Sequence, residues 1–435
     1  MDYENGKQMY EFCKKIFPRY RSITGEGVRK TLEDINASIA EYGLELDIFD
    51  TPSGTQAFDW TVPREWKIRQ AYIEDESGNH IIDMKDNNLH VMGYSTKVDE
   101  WVDAEELKKY VYVQEDQPDV IPYVTSYYKE RYGFCMSKKQ RDSIASGKYH
   151  MVIDSELFDG VLNTAEVVIP GREEKEVFFS TYFCHPSMAN NECSGLALAT
   201  ELIKYVARMD NRRYTYRFVF VPETIGSLTY LSSKDNLAKI KKNMIAGFNL
   251  SCVGDNLDYS IVESKYADTL ADRVLSNVLE YHTGGKYSRY SFLKRGSDER
   301  QYNAPGIELP VVCFCRSKFG MFPEYHTSAD NMDFVSPEGF QGGYDVMTKV
   351  INALEYNYHY RVNVLGEPQL GKRGLYPTIS QKGNYSEVTA MMALIAYADG
   401  KNDLIEISNI IDTPIDKCIS IVKKLIENEL LDKID

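Results

Sequence analysis

The spacing of hydrophobic and polar positions changes several times along this chain. Between residues 52 and 140, short alternating stretches separated by turn residues predict β-strands. From residue 150 to 360, apolar runs of strand length alternate with stretches that have helical spacing. The helices that this periodicity predicts cover residues 3–17, 25–41, 194–208, 226–239 and 335–358. The pattern therefore indicates an α/β protein that is interrupted by a β-rich segment.

The apolar runs of the second half are "EVFFSTYF", "YRFVFV", "MIAGFNLSCV" and "LPVVCFC". Runs that are apolar throughout are typical of strands buried on both faces, so helices should cover both sides of the sheet. "VNVLGEPQLGKRGLYPT" has the composition of a linker, and residues 385–435 show three further helical stretches. We predict an α/β domain at 1–51 and 141–365, an inserted β-rich domain at 52–140, and a small C-terminal domain at 380–435.

Charge and composition narrow the classes of partner. The chain has 435 residues, of which 43% are hydrophobic, and a formal net charge of −15. This charge argues against nucleic acid or an anionic membrane as a partner. No uncharged run reaches the roughly 18 residues of a membrane-spanning helix, and no signal peptide is evident, so we expect a cytoplasmic protein.

The C-terminal segment has the helical period of a helix-turn-helix, but not its usual charge. Residues 386–435 contain five lysines and no arginine, against ten aspartates and glutamates. A DNA-reading helix needs a basic face. Protein docking or homo-oligomerisation through this domain is therefore the better prediction.

Polar side chains follow each of the four apolar runs, at the point where the run ends. His185 follows the first, Glu223 the second and Asp255 the third, and the loop after the fourth leads to His326. A single residue of this kind is usually part of a turn or of the core. Because open α/β sheets bind ligands beyond the carboxyl ends of their strands, four such positions together indicate a site.

The order of these segments resembles the M28 zinc aminopeptidases. After His185 come "NNECSG", "PETIGSLTYL", "NLSCVG", "SDERQY" and "HTSAD". The stretches "RSITGEG", "DWTVPREWKIRQAYI", "IPYVTSYYKERYGFC", "CHPSMANN", "VPETIGS" and "YHTSADN" resemble more closely the DUF4910/DUF2172 aminopeptidase-like branch of that clan. The resemblance implies a zinc-exopeptidase-like three-layer sandwich with a mixed sheet, an inserted β domain and a winged-helix-like C-terminus.

The resemblance also implies roles for particular residues, and here the chain departs from the pattern. His185 and His326 match the two metal-binding histidines, and Glu223 matches the general base. Three carboxylate ligands of the M28 pattern are replaced, by Asn191, Thr224 and Ser251. Two divalent ions without a bridging anion would repel each other, so we expect one zinc ion instead of two.

One zinc ion needs a third protein ligand beside the two histidines. The candidate carboxylates are Glu223, Asp298, Glu299, Glu192 and Asp255. Asp298 and Glu223 are favoured, and the sequence leaves the choice between them open. For substrate binding we expect Asn191, Arg300 and Tyr325. A nucleophilic Cys184–His185 pair is disfavoured, because neighbours on a strand point to opposite faces.

These observations predict a zinc-dependent aminopeptidase or a related amide hydrolase that acts on a small peptide-like or amide substrate. Two alternatives stay open. One is a non-catalytic binding or scaffold protein on a peptidase fold, which the replaced carboxylates favour. The other is an amidohydrolase for a carbohydrate- or cell-wall-derived amide. Retention of His185, His326 and Glu223 favours an enzyme.

Overall fold

A computed structural model of the chain describes residues 3–375 and 385–434. Two compact units are present: the residues up to Ala267 with Arg289–Tyr344, and Asp268–Ser288 with the residues from Asp345 onward. The helices are α1 (Glu4–Ile16), α2 (Glu26–Ile39), α3 (Ala104–Leu107), α4 (Lys138–Asp142), α5 (Ser194–Ala207), α6 (Ile225–Ser232), α7 (Lys234–Asn243), α8 (Leu270–Thr283), α9 (Glu299–Tyr302), α10 (Pro337–Tyr356), α11 (Tyr385–Tyr397), α12 (Leu404–Ile410) and α13 (Ile415–Glu427). The strands are β1 (Asp47–Pro52), β2 (Gln56–Ala57), β3 (Trp60–Thr61), β4 (Glu65–Asp75), β5 (His80–Asp83), β6 (Val98–Asp103), β7 (Val111–Tyr112), β8 (Phe134–Cys135), β9 (Lys148–Phe158), β10 (Val161–Ile169), β11 (Glu176–Tyr182), β12 (Thr215–Val221), β13 (Met244–Leu250), β14 (Ser260–Val262), β15 (Ser288–Tyr290), β16 (Val311–Cys315), β17 (His359–Val362), β18 (Asp399–Asp403) and β19 (Leu431–Lys433).

The first unit is built on an eight-stranded mixed sheet with the order β1-β10-β12-β11-β13-β16-β14-β15. The central strands β12, β11, β13 and β16 run parallel, whereas β1, β10 and β14 pair antiparallel with their neighbours. Every residue of β11 and β16 is buried, as their continuous apolar runs predict.

Alternate residues of β11 face two different helical layers. Phe178 packs with Tyr230 of α6 and Tyr302 of α9. On the opposite face Phe179 stacks on neighbouring strands, and the next residue on that face, Thr181, lies against Gly195 of α5. The predicted three-layer α/β sandwich with a mixed sheet is confirmed.

The β-rich segment forms an antiparallel sheet with the order β5-β4-β9-β6. Its core contains Ile73, Phe134 and Met151. Strand β9 lies beyond residue 140, and the turn at 159–160 connects it to β10 of the large sheet. The segment therefore takes a strand from outside the predicted boundary and is joined to the main sheet through a direct strand-to-strand connection.

Two predictions about helices have different outcomes. The three C-terminal helices are present as α11, α12 and α13, beside a small sheet with the order β18-β17-β19. The single helix predicted over 226–239 is wrong, because Ser233 has extended backbone angles and separates α6 from α7. Serine favours helix starts over helix interiors, since its hydroxyl competes for backbone hydrogen bonds. The end of the predicted linker, residues 376–378, lies outside the described residues. Within the described ranges, no helix is long and apolar enough to cross a membrane.

Gly195 allows α5 to approach the sheet closely. A Cβ atom at this position would lie 2.3 Å from Thr181 Oγ1 and 2.7 Å from the Leu250 carbonyl oxygen. We expect Gly195→Ala to lower the free energy of unfolding by about 1–3 kcal/mol, because the backbone must shift. Gly371→Ala is the control, since nothing lies within 4 Å of a Cβ there. Urea unfolding followed by circular dichroism measures both, and equal stabilities would contradict the close approach.

Candidate functional site

The predicted site residues meet beyond the carboxyl ends of β11 and β12. These strands end side by side at Tyr182 and Val221, so the residues that follow them are brought together. They line a pocket of about 370 Å³. Four residues predicted for the site line it, namely His185, Glu223, Arg300 and His326. The pocket is thus at the sheet edge where the sequence predicts it.

The two histidines face each other across the inner end of the pocket. Their ring centroids are 5.4 Å apart, and His185 Nε2 lies 3.9 Å from Glu223 Oε2. His326 Nε2 is buried and finds no hydrogen-bond partner among residues 3–375 and 385–434. Burial and the nearby His185 lower the pKa of His326 to about 3. His326 is therefore a neutral imidazole whose Nε2 is available to a ligand.

Tyr325 supports His326 from behind. Its ring stacks on the imidazole at a centroid distance of 3.9 Å, and it does not line the pocket. His326 itself has a φ of 57°, in the left-handed region that costs a non-glycine residue energy. The stacking and the backbone strain together fix the orientation of this imidazole.

Glu192 and Cys184 contact the other side of His185. Glu192 Oε2 lies 3.2 Å from His185 Nδ1, and Cys184 Sγ lies 3.6 Å from the same nitrogen. Cys184 and His185 were predicted to point to opposite faces of a strand. This prediction is wrong, because β11 ends at Tyr182 and neither residue belongs to the strand. Burial raises the pKa of Cys184 to about 11, so the sulfur is a thiol and not an activated nucleophile. Burial lowers the pKa of His185, but its contacts with Cys184 and Glu192 outweigh this and raise it well above the usual value.

Asp298 lies behind the pocket wall. Its Oδ1 accepts hydrogen bonds of 2.8 Å from the backbone N–H of Thr224 and from the hydroxyl of Ser227. Its Oδ2 is buried without a hydrogen-bond partner in the described part of the chain. Burial, followed by the charge of Glu223, raises the pKa of Asp298 to about 7. Asp298 therefore supports the backbone next to Glu223 and does not line the pocket.

Asn191 also lies outside the pocket lining, in a buried hydrogen-bond network. Its Oδ1 accepts a 2.5 Å hydrogen bond from the Tyr182 hydroxyl, which is 2.7 Å from Ser251 Oγ. Arg300 donates to the hydroxyl of Thr224. The three positions where the M28 pattern has carboxylates thus carry neutral groups that bond to Tyr182 or to a guanidinium.

The donor types at this pocket are ones that can bind zinc. Imidazole nitrogens of His185 and His326 and a Glu223 oxygen are of the types that zinc prefers, and these residues line one pocket, although within the described residues their ligand atoms do not all lie within 4.8 Å of one another. A second ion beside Asn191, Ser251 and Thr224 would meet no carboxylate from those residues. Within the described residues, the group of three ligand atoms that lie within 4.8 Å of one another is Cys184, His185 and Glu192. The salt bridge from Arg21 to Glu192 opposes a cation there.

The outer wall of the pocket consists of aromatic residues that were not predicted from the sequence. Trp60, Tyr123, Tyr127 and Tyr128 form it, all from the inserted segment. The Tyr123 ring lies 5.1 Å from His185 and 5.0 Å from His326 between centroids. "IPYVTSYYKERYGFC" stood out only as a family-like stretch, because isolated tyrosines in a chain with 32 of them carry no local signal.

Comparisons with solved structures define the class of fold. A zinc aminopeptidase from Bacillus subtilis is 13% identical with a TM-score of 0.60, covering 80% of this chain and 94% of that one. A peptidase M28 precursor from Shewanella amazonensis is 12% identical with a TM-score of 0.57, covering 80% and 93%. The first unit therefore has the fold of the M28 zinc aminopeptidases.

Closer relatives and family models place the chain more narrowly. The chain belongs to the family "Domain of unknown function (DUF4910)", which matches residues 10–357, and a winged helix-turn-helix model matches residues 358–433. A Clostridium acetobutylicum protein, provisionally named for polysaccharide biosynthesis and an aminopeptidase-like domain, is 42% identical over 408 residues, 93% of this chain and 91% of its own. A crystal structure of a provisionally assigned peptidase from Clostridium acetobutylicum is 40% identical with a TM-score of 0.91, covering 99% of this chain and 97% of that one.

Proposed function

We propose that this protein is a zinc-dependent amide hydrolase of the aminopeptidase type that uses one metal ion. The observation that carries the proposal is that His185, His326 and Glu223 line one pocket, with the two imidazole centroids 5.4 Å apart and His185 Nε2 3.9 Å from Glu223 Oε2. His185 and His326 would hold the ion. Either Asp298 would complete its ligands, with Glu223 left free as the base, or Glu223 itself would do so. Bound zinc would polarise the scissile carbonyl and acidify a water molecule.

Glu223 is the proposed general base of the reaction. Its carboxylate is the one that lines the pocket beside the histidines, and its side chain is 24% exposed, so a water molecule can reach it. It would take a proton from water and deliver it to the leaving amine. If Glu223 binds the metal instead, Asp298 behind it is the next candidate, because its Oδ2 has no partner among the described side chains.

Arg300 is the proposed anchor for a negatively charged or carbonyl group of the substrate. Its guanidinium lines the pocket and is held by the hydroxyl of Thr224. A guanidinium is a strong hydrogen-bond donor to carboxylate and carbonyl oxygens. Asn191 and Tyr325 are predicted from the sequence to bind substrate. They would act indirectly, Asn191 through its hydrogen bond with Tyr182 and Tyr325 through its stacking on His326.

A second candidate is an amide hydrolase whose substrate carries a sugar. The outer wall of the pocket is aromatic, and Trp60 and Tyr128 are 38% and 57% exposed at its mouth. Such rings stack on the apolar faces of ring-shaped ligands. The name of the Clostridium relative also refers to polysaccharide biosynthesis. The two candidates share the same reaction and differ only in what the amide is attached to.

Metal analysis and a substrate comparison test the proposal. Protein purified without chelators should contain about one zinc ion per chain, and His185→Ala and His326→Ala should each abolish stoichiometric binding, because too few ligands remain. His80→Ala, at a partly exposed histidine in the inserted sheet, should retain it. Hydrolysis of unblocked dipeptides and of N-acetylated amino sugars distinguishes the two candidates. Wild-type protein with no metal, or with two ions, would contradict the proposal.

A further inference from the structure

Two buried charged side chains, Arg21 and Glu192, lie behind His185. Arg21 Nε is 2.5 Å from Glu192 Oε1. Glu192 Oε2 accepts the backbone N–H of His185 and lies 3.2 Å from its Nδ1. The side chains of Arg21 and Glu192 are 0% exposed, and that of His185 is 5% exposed. The "RSITGEG" and "CHPSMANN" segments therefore meet in the interior, directly behind the pocket.

The guanidinium of Arg21 is fully engaged in this position. It also donates to the Ile16 carbonyl oxygen at 2.5 Å and contacts Cys193 Sγ at 3.0 Å. A buried ion pair is seldom retained for stability alone, because well-packed apolar residues of the same volume stabilise as well. Such a pair is better explained by what it orients.

The direction of the hydrogen bond decides the tautomer of His185. An ionised carboxylate can only accept, so Nδ1 carries the hydrogen and donates it to Glu192. The alternative, in which the Cys184 thiol donates to Nδ1, uses a weaker donor at 3.6 Å and would face the lone pair of Nδ1 towards a carboxylate. In the neutral imidazole, which is the form that binds a metal ion, the hydrogen on Nδ1 leaves the lone pair on Nε2, 3.9 Å from Glu223 Oε2 at the pocket.

We propose that Arg21 and Glu192 are positioning residues that hold His185 in the Nδ1–H tautomer with Nε2 directed into the pocket. Arg21 has a second effect, because it occupies Glu192 Oε1 and so keeps this carboxylate from binding a cation itself. The effect on metal binding rests on the proposed function. The tautomer does not, since it follows from contacts within the chain.

The test uses a double variant, because a single substitution would leave a buried charge without its partner. Arg21→Met/Glu192→Met removes both charges and keeps similar volumes. The control, Arg217→Met/Glu176→Met/Glu166→Gln, neutralises another buried arginine–glutamate group, on β12, β11 and β10, in which Arg217 contacts both glutamates. Thermal unfolding shows that both variants are folded before they are compared.

Two measurements are made on the full-length chain. Nitrogen NMR of metal-free protein is recorded at a pH above the raised pKa of His185, where the imidazole is neutral, and the His185 signals are assigned through His185→Gln. It should show hydrogen on Nδ1 in the wild type and the control, and on Nε2 in the double variant. Zinc affinity, measured by competition with a chelator, should fall about 10–100-fold in the double variant alone.

The outcomes separate this proposal from the proposed function. Hydrogen on Nδ1 in the wild type and its loss in the double variant support the positioning role. A wild type that binds no zinc would contradict the proposed function but not this result. An unchanged His185 tautomer in a folded double variant would overturn the positioning role. Equal zinc affinities of the double variant and a zinc-binding wild type would also overturn it.

Discussion

Glu223→Gln should retain the fold and the metal but lower the rate of amide hydrolysis by about 10²–10⁴-fold, the usual contribution of a general acid–base group. Glutamine has the same shape as glutamate but cannot take a proton from water. Glu223 lines the pocket, and its Oε2 is 3.9 Å from His185 Nε2. The substitution therefore removes the carboxylate charge beside the proposed metal ligands without changing the volume of the side chain. Turnover of the best substrate and zinc content, measured on the same preparation, check the prediction.

The control for this prediction is Glu201→Gln in α5. Glu201 is more buried than the candidate base, and its carboxylate binds Lys204 at 2.7 Å and does not line the pocket. It should keep the wild-type rate. If Glu223→Gln also hydrolyses at the wild-type rate, the base is another residue. If it loses zinc together with activity, Glu223 is a metal ligand, and the base has to be sought at Asp298 or Glu299.

The position of the pocket could be predicted because parallel strands bring their carboxyl ends together. β11 and β12 are adjacent and in register up to Tyr182 and Val221, so His185 and Glu223, which follow them, are neighbours in space. Buried parallel strands also leave a clear signal in the sequence, since they are near-continuous hydrophobic runs without strict alternation. The location of these residues required no knowledge of side-chain packing.

The partners of these residues could not be predicted in the same way. Arg21 and Glu192 are 171 positions apart, and nothing in either segment indicates that they form a buried ion pair. Asp298 and Glu299 are neighbours in sequence, yet one supports Thr224 and the other accepts from the backbone N–H groups of Gly296 and Ser297. Such differences depend on the local backbone at the start of a short helix, which periodicity does not describe.

Tyr182 is a further case, and it bears on the number of metal ions. It ends a buried strand, where sequence reasoning treats it as a core residue. Its hydroxyl lies between Asn191 Oδ1 and Ser251 Oγ, at 2.5 Å and 2.7 Å. By resemblance, these are two of the positions that carry metal-binding carboxylates in the M28 aminopeptidases. The Tyr182 hydroxyl thus forms hydrogen bonds with the two side chains, Asn191 and Ser251, that replace those carboxylates.

Asn191→Asp should therefore raise the zinc content above one ion per chain or tighten the single ion by about tenfold or more. The carboxylate can still accept the hydrogen bond from Tyr182, and it adds a negative charge close to the proposed metal ligands. Even at an effective dielectric constant of about 20, one such charge near a divalent cation exceeds the roughly 1.4 kcal/mol that a tenfold change requires. The buried Asn191 Nδ2, which has no hydrogen-bond partner in the described ranges, is lost without breaking a contact.

Equilibrium dialysis against zinc, and a crystal of the variant soaked in excess zinc, measure this effect. Asn211→Asp adds the same charge at an exposed position and should leave zinc content and affinity unchanged. Asn191→Asp combined with Ser251→Asp should favour a second ion further, because both carboxylates would then flank the Tyr182 hydroxyl. If Asn191→Asp alters neither the number of ions nor the affinity, residue 191 does not face the metal. The assignment of His185 and His326 as its ligands would then lose the geometric argument that connects this chain to a metal centre of the M28 type.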